Sequence, residues 1–158
     1  MVERWSAQTG FGFAAGRLFW VYGPGEAPER LVPSMIRAAE AQVPFALRYP
    51  KQVRDYMHVS DAGSAFAALL ASDAQGAVNI ASGEGVELEH LGYIVGDAVG
   101  HGLRLEGADE RAVDPSPMVV ADAMRLRSDV GWRPRYRLED GIRQTVAWWK
   151  AHGKMVQA

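Results

Sequence analysis

Apolar residues at Val32, Met35, Ile36 and Ala39 repeat at i, i+3, i+4, i+7, the spacing that lays one stripe along a helix. Similar stripes follow at Ala62, Ala65, Phe66, Leu69 and Leu70, then at Leu88, Leu91, Ile94, Val95, Ala98 and Val99. A last one runs through Leu138, Ile142, Val146 and Trp149. Pro33 falls where a first-turn proline is tolerated, Ser60 is the expected N-cap of the second helix, and Gly100 and Gly102 stop the third. The opening MVERWSAQTG reads as a helix closed by Gly10, and VADAMRLRSDVGW (120–132) contains a short one. Between the helices lie short runs rich in branched and aromatic residues: FGFAAGRLFWVY (11–22), 45–47, 53–59, 77–82 and 103–105. These read as strands, the first of them buried. GPGEAP (23–28) forces a loop, and EGADERAVDPSP (106–117) reads as a long charged surface loop of the kind that carries binding residues. Helices alternate with strands, so the class is α/β.

TGFGFAAG (9–16) has glycines spaced like a loop that cradles a dinucleotide pyrophosphate. Such a loop follows a strand and opens a helix, whose unpaired N–H groups face the phosphates. Here the order is reversed: helix first, then strand. The stretch is expected to be a helix stop and a glycine-bearing strand.

With 158 residues, 48% of them apolar, the chain can bury a core. Lys and Arg total 17 against 19 Asp and Glu, which argues against a nucleic-acid footprint. Cysteine is absent, which excludes disulfides and thiolate metal sites. The histidines lack ligand spacing, so no metal is expected, and His58 is read as structural. No apolar run approaches the ~18 residues of a membrane span, so no membrane association and a cytoplasmic location are expected. A hydrolase is disfavoured, since no G-x-S-x-G elbow is present.

RLFWVYGPGE (17–26), QVRDYMHVSD (52–61), VNIASGE (78–84) and DVGWRPRYRLEDGIRQTVAWW (129–149) together resemble the extended short-chain dehydrogenase/reductase family. Within it they are most similar to the NAD-dependent nucleotide-sugar epimerases and dehydratases. The likeness is to the C-terminal half of that family. The family's glycine-rich loop and Tyr-x-x-x-Lys set find no counterpart: none of Tyr22, Tyr49, Tyr56, Tyr93 and Tyr136 is followed four residues later by Lys. The resemblance implies a substrate-binding part carrying the tail end of the Rossmann sheet without its dinucleotide-binding half. Residues 1–28 would be the Rossmann remnant and 29–158 the nucleotide-sugar-binding domain.

The resemblance also implies roles. Arg54, in the R-D-Y-x-H-V segment, would grip the nucleotide diphosphate with its planar donors. Arg111 and Asp114 match a loop that holds the diphosphate and ribose, although Val113 replaces the usual glycine. Leu31, Val32, Phe45 and Ala46 would flank the base. Trp20 stands where many members have a phosphate-contacting Asn; it would offer a stacking surface or pack in the core. Phe19 matches a position near the nicotinamide, which makes it the cofactor-contact candidate. In the intact enzymes NAD(P) takes and returns a hydride at a sugar carbon while the tyrosine acts as acid and base. Here NAD or NADP belongs to the parent, and this chain alone is expected to bind no cofactor and to supply no catalytic residue. Its expected partner is a nucleotide diphosphate sugar, and its first strand could support self-association if it stays uncovered. The alternative is a free-standing, non-catalytic module that binds a nucleotide sugar or a protein. Exposed Phe11 and Phe13 would favour the first reading over the second.

Overall fold

The computed structural model describes residues 2–107 and 116–152. Helix α1 (Val2–Thr9) ends at Gly10, whose φ of +75° and N–H donation to the Ser6 carbonyl (2.9 Å) make it a left-handed helix stop. The chain then enters β1 (Ala14–Leu18) and, after Phe19, β2 (Trp20–Tyr22). After the 23–30 loop come α2 (Leu31–Ala41), β3 (Phe45–Ala46) and β4 (Val53–His58). Next are α3 (Val59–Ala71), β5 (Gly76–Ile80), β6 (Gly85–Glu87) and α4 (Leu88–Val99). The chain closes with β7 (Leu105–Glu106), β8 (Met118–Val119), α5 (Met124–Ser128) and α6 (Leu138–His152).

The class is α/β, with mostly parallel pairing. β1 lies parallel to β5, from Ala14 opposite Gly76 to Leu18 opposite Ile80. Phe19 still donates to the Ile80 carbonyl (3.3 Å), but Trp20–Tyr22 then pair with Tyr56–His58 of β4. The single run expected over 11–22 is therefore two strands that change partner at Phe19, and it starts only at Ala14. It is also not buried throughout. Among the described residues no strand pairs the other edge of β1, and Leu18 is exposed. Phe11 is 66% exposed, stacked on Trp5, and Phe13 is half-buried.

β4 is the hub: it pairs β2, antiparallel β6 and parallel β8. β6 and β8 carried no strand signal, being brief. The helix α3 follows β4 without a loop. Its cap is His58, whose Nδ1 accepts from the Ser60 N–H (3.3 Å), and not the expected Ser60. A hydroxyl two residues inside a helix that starts at Val59 is past the position where it could cap.

Two cores result. The larger packs α2, α4 and α6 together through Val32, Met35, Ile36, Leu91, Val95, Ile142, Val146 and Trp149. These are the expected stripes. The smaller lies under α3, where Ala62, Ala65 and Leu69 meet Met57, Val78, Ile80 and Leu126. Gly16 belongs to this interface: a Cβ there would meet Phe66 Cε1 at 2.3 Å and Ile80 Cγ1 at 3.1 Å. Its lack of side chain lets α3 approach the sheet, and no helix N-terminus stands behind it. TGFGFAAG thus lacks the architecture of a pyrophosphate cradle. No helix among the described residues is long and apolar enough to cross a membrane, and no described cluster of His, Asp or Glu could hold a metal.

Candidate functional site

Strand alternation sends Arg54 and Tyr56 to one face of β4 and Asp55 and Met57 to the other. The register sets Trp20 opposite Tyr56, which brings the Arg54 guanidinium over the Trp20 ring, 5.4 Å from its centroid. Arg54 is only 8% exposed, and its Nη1 donates to the Val53 carbonyl (2.8 Å). No ion pair of Arg54 is present among the described residues.

The obvious neighbour, Asp55, is occupied elsewhere. Fully buried, it accepts from Ser82 N–H (3.0 Å), Ser82 Oγ (2.6 Å), Gly83 N–H (2.9 Å) and Ala121 N–H (3.2 Å). It ties the end of β5 to the segment after β8. Asp61 does the same one turn into α3, accepting from the backbone of Arg135 and Tyr136 (2.9 Å to the latter). Sequence reasoning passed over both carboxylates. Two aspartates six residues apart, flanking a strand-to-helix junction, were the available sign.

Arg54 opens onto a cleft of about 310 Å³. Trp20, Leu31 and Tyr56 line it with Arg54, and the 23–30 loop adds Glu26 and Arg30. Three residues singled out from sequence, Trp20, Leu31 and Arg54, therefore meet in one place. Of the other candidates, Val32 is wholly buried in the larger core, Phe45 packs against that core, and Ala46 is exposed on β3 beside β7. Phe19 is half-buried with its ring edge-on to Trp20, centroids 6.2 Å apart. Arg111 and Asp114 lie outside the described residues.

Glu26 was not singled out, because a glutamate in a Gly-Pro loop reads as surface. Its side chain is 15% exposed, with Oε1 3.7 Å from Arg30 Nε. Oε2 has no hydrogen-bond partner among the described residues. Burial lifts its carboxyl to about 7, against the opposing pulls of Arg30 and a hydrogen bond from the Gly23 backbone. Tyr56 is pushed up to about 12, first by burial and then by the charge of Glu26, with Arg54 and Arg30 pulling the other way.

A larger cleft of about 480 Å³ lies by Tyr22, His58, Asp61, Arg135 and Tyr136 and contains none of the candidates. Two of its groups are committed, Asp61 to backbone donors and Tyr22 through its hydroxyl to the Leu138 carbonyl (3.3 Å), while His58 Nε2 is buried without a hydrogen-bond partner among the described residues. The His58 ring is packed between Tyr22 and Tyr136, and burial lowers its pKa against the pull of Asp61 and Gln144. The structural expectation for His58 agrees with this packing.

Residues 1–81 match the model of the NAD dependent epimerase/dehydratase family. The chain is 33% identical over 147 residues to the dTDP-glucose 4,6-dehydratase of Xanthomonas campestris pv. campestris, covering 86% of this chain and 42% of that protein. It is 30% identical over 160 residues to GDP-L-fucose synthase 1 of Arabidopsis thaliana, covering 93% and 48%. The Thermus thermophilus UDP-glucose 4-epimerase, solved in complex with NAD, superposes with a TM-score of 0.82 at 27% identity, covering 94% of this chain and 50% of that one. The chain thus spans about half the length of the relatives it matches.

Proposed function

The chain belongs to the NAD-dependent epimerase/dehydratase family, and from that premise we propose that it supplies the nucleotide-sugar grip of such an enzyme. The observation that carries this is the buried Arg54 guanidinium, held over Trp20 and facing a cleft with no described carboxylate paired to it. A cation removed from water without an anionic partner is costly, and a diphosphate would supply that partner in the bidentate geometry a guanidinium favours. Trp20, in the position where the resemblance expects a phosphate-contacting Asn, acts here as the platform that fixes the fork's plane.

In this reading Leu31, which lines the Arg54 cleft, is the wall that leads from the diphosphate toward the base it flanks. Phe45, Ala46 and the backbone near Val32 flank the base, the family resemblance assigns Arg111 and Asp114 to the diphosphate and ribose, and Phe19 faces the nicotinamide side. A dinucleotide supplies hydride chemistry in the family. The glycine stretch at 9–16 does not fit it, since it is a helix stop and a close-packed strand, so no step is derived through that group. This chain's own contribution is to bind and orient a sugar nucleotide. With no Tyr-x-x-x-Lys set, it turns over no substrate by itself.

Calorimetry with UDP-glucose and dTDP-glucose tests the reading. The chain should bind at least one of them, with Kd on the order of micromolar to millimolar. Arg54→Ala should weaken that binding at least about tenfold, in keeping with loss of a charge-assisted hydrogen bond. Equal affinity in the variant contradicts the assignment.

A further inference from the structure

The cleft proposed to take a diphosphate also holds an acid. Glu26 reaches it from the 23–30 loop, mostly buried, with Oε2 unpartnered among the described residues. An ionised carboxylate at that place would repel a diphosphate and would itself be poorly solvated. The groups facing it do not remove the problem. Arg30, at the N-cap of α2, is mostly exposed and stands 3.7 Å from Oε1, too far for a close hydrogen bond. From β4, Arg54 is engaged with Trp20 and the Val53 carbonyl, and Tyr56 is held well above its ordinary range as a neutral phenol. Glu29, on the same loop, adds a second negative group.

We propose that Glu26 is a recognition residue that meets the ligand's diphosphate as the neutral acid, its carboxyl O–H donating to a phosphoryl oxygen, so that anion binding takes up one proton from solvent. The carboxyl holds its proton unusually easily in this setting, to about pH 7 before any anion arrives. An incoming diphosphate raises that point further, because it penalises the carboxylate and rewards the acid. Arg54 then supplies the charge and Glu26 a neutral donor. This arrangement rests on the reading of the Trp20–Arg54 cleft as a diphosphate site.

The experiment is calorimetric titration of the chain with UDP-glucose and dTDP-glucose at pH 6, 7 and 8, each in buffers of different ionisation enthalpy. These diphosphate diesters do not change charge over that range, so any proton taken up belongs to the protein. The expected result is uptake approaching one proton at pH 8. Affinity should fall above pH 7 by up to about tenfold per pH unit, the limit for one linked proton. Glu26→Gln, a permanent neutral donor of the same shape, should abolish both the uptake and the pH dependence. At pH 8 it should bind up to about tenfold more tightly than the unaltered chain.

Binding without proton uptake, together with weaker binding by Glu26→Gln, would mean that the carboxylate accepts from a sugar or ribose hydroxyl, and overturns the proposal while leaving the cleft assignment standing. Proton uptake that persists in Glu26→Gln places the linked group elsewhere and also overturns it. Absence of binding to either nucleotide sugar at every pH overturns the cleft assignment and this inference with it.

Discussion

Asp55 and Asp61, on one side, and Arg54 and Glu26, on the other, are charged groups drawn out of water around the same strand-to-helix unit. The two aspartates are filled by backbone donors: Asp55 by Ser82, Gly83 and Ala121, Asp61 by Arg135 and Tyr136. Each ties together segments far apart in sequence. The cleft pair keeps capacity in hand. Arg54 gives one donor to a carbonyl and sits over an indole, while Glu26 keeps a buried oxygen without a hydrogen-bond partner among the described residues. Buried charge that is saturated by the backbone holds a fold together. Buried charge left partly unmatched marks a place prepared for something else.

The two kinds of site should respond differently to substitution. The largest effect is expected at Asp55. Asp55→Ala leaves three N–H groups without their acceptor, that of Ala121 buried, and should cost about 3–5 kcal/mol in urea unfolding. Asp61→Ala, which frees fewer donors, should cost about 2–3 kcal/mol by the same measurement. Arg54→Ala inverts the pattern. Its unfolding free energy should change by less than about 1 kcal/mol, since relief of a poorly matched buried charge offsets lost packing, while nucleotide-sugar affinity drops at least about tenfold. If the aspartate variants keep full stability, or if Arg54→Ala unfolds the chain, the distinction fails.

Glu26 gives a pH signature. Its carboxyl is raised from the ordinary 4.5 to about 7, so between those values the native chain holds a proton that the unfolded chain has released. The stability attached to the buried acid is full below pH 4.5 and is lost as pH rises through about 7. Urea unfolding at pH 5 and pH 8 should differ by about 1–3 kcal/mol for this group, and Glu26→Gln should flatten that difference. The smallest effect belongs to Trp20→Leu. Removing the face beneath the guanidinium is worth about 0.5–1 kcal/mol, read as a few-fold loss of affinity with the fold intact.

Much of this architecture was legible in the residues. The helical stripes identified α2, α4 and α6, because each buries one face against the same core and periodicity reports burial directly. The break at Phe19 was hidden, since it comes from a change of partner from β5 to β4, and partners are distant in sequence. The cap at His58 was hidden for a related reason: an imidazole caps here only because strand and helix join without a loop. At the site, the R-D-Y-x-H-V segment pointed to Arg54, and a strand-pairing register joined it to Trp20. Glu26 could not be read from GPGEAP. Its burial is created when the loop folds back over β4, and composition alone makes that loop look solvated.

The five tryptophans offer a direct test, because each carries an indole N–H visible by NMR and only Trp20 lies in the cleft. Titrating the 15N-labelled chain with UDP-glucose or dTDP-glucose should shift the Trp20 indole and Arg54 Nε resonances along one saturable curve. The Trp132 indole, which donates to Ser64 Oγ (3.0 Å) and does not line the cleft, should stay still. Silence at Trp20 and Arg54, or saturable shifts confined to the cleft by His58 and Tyr136, would contradict the central claim that the Trp20–Arg54 cleft is where this chain holds a sugar nucleotide.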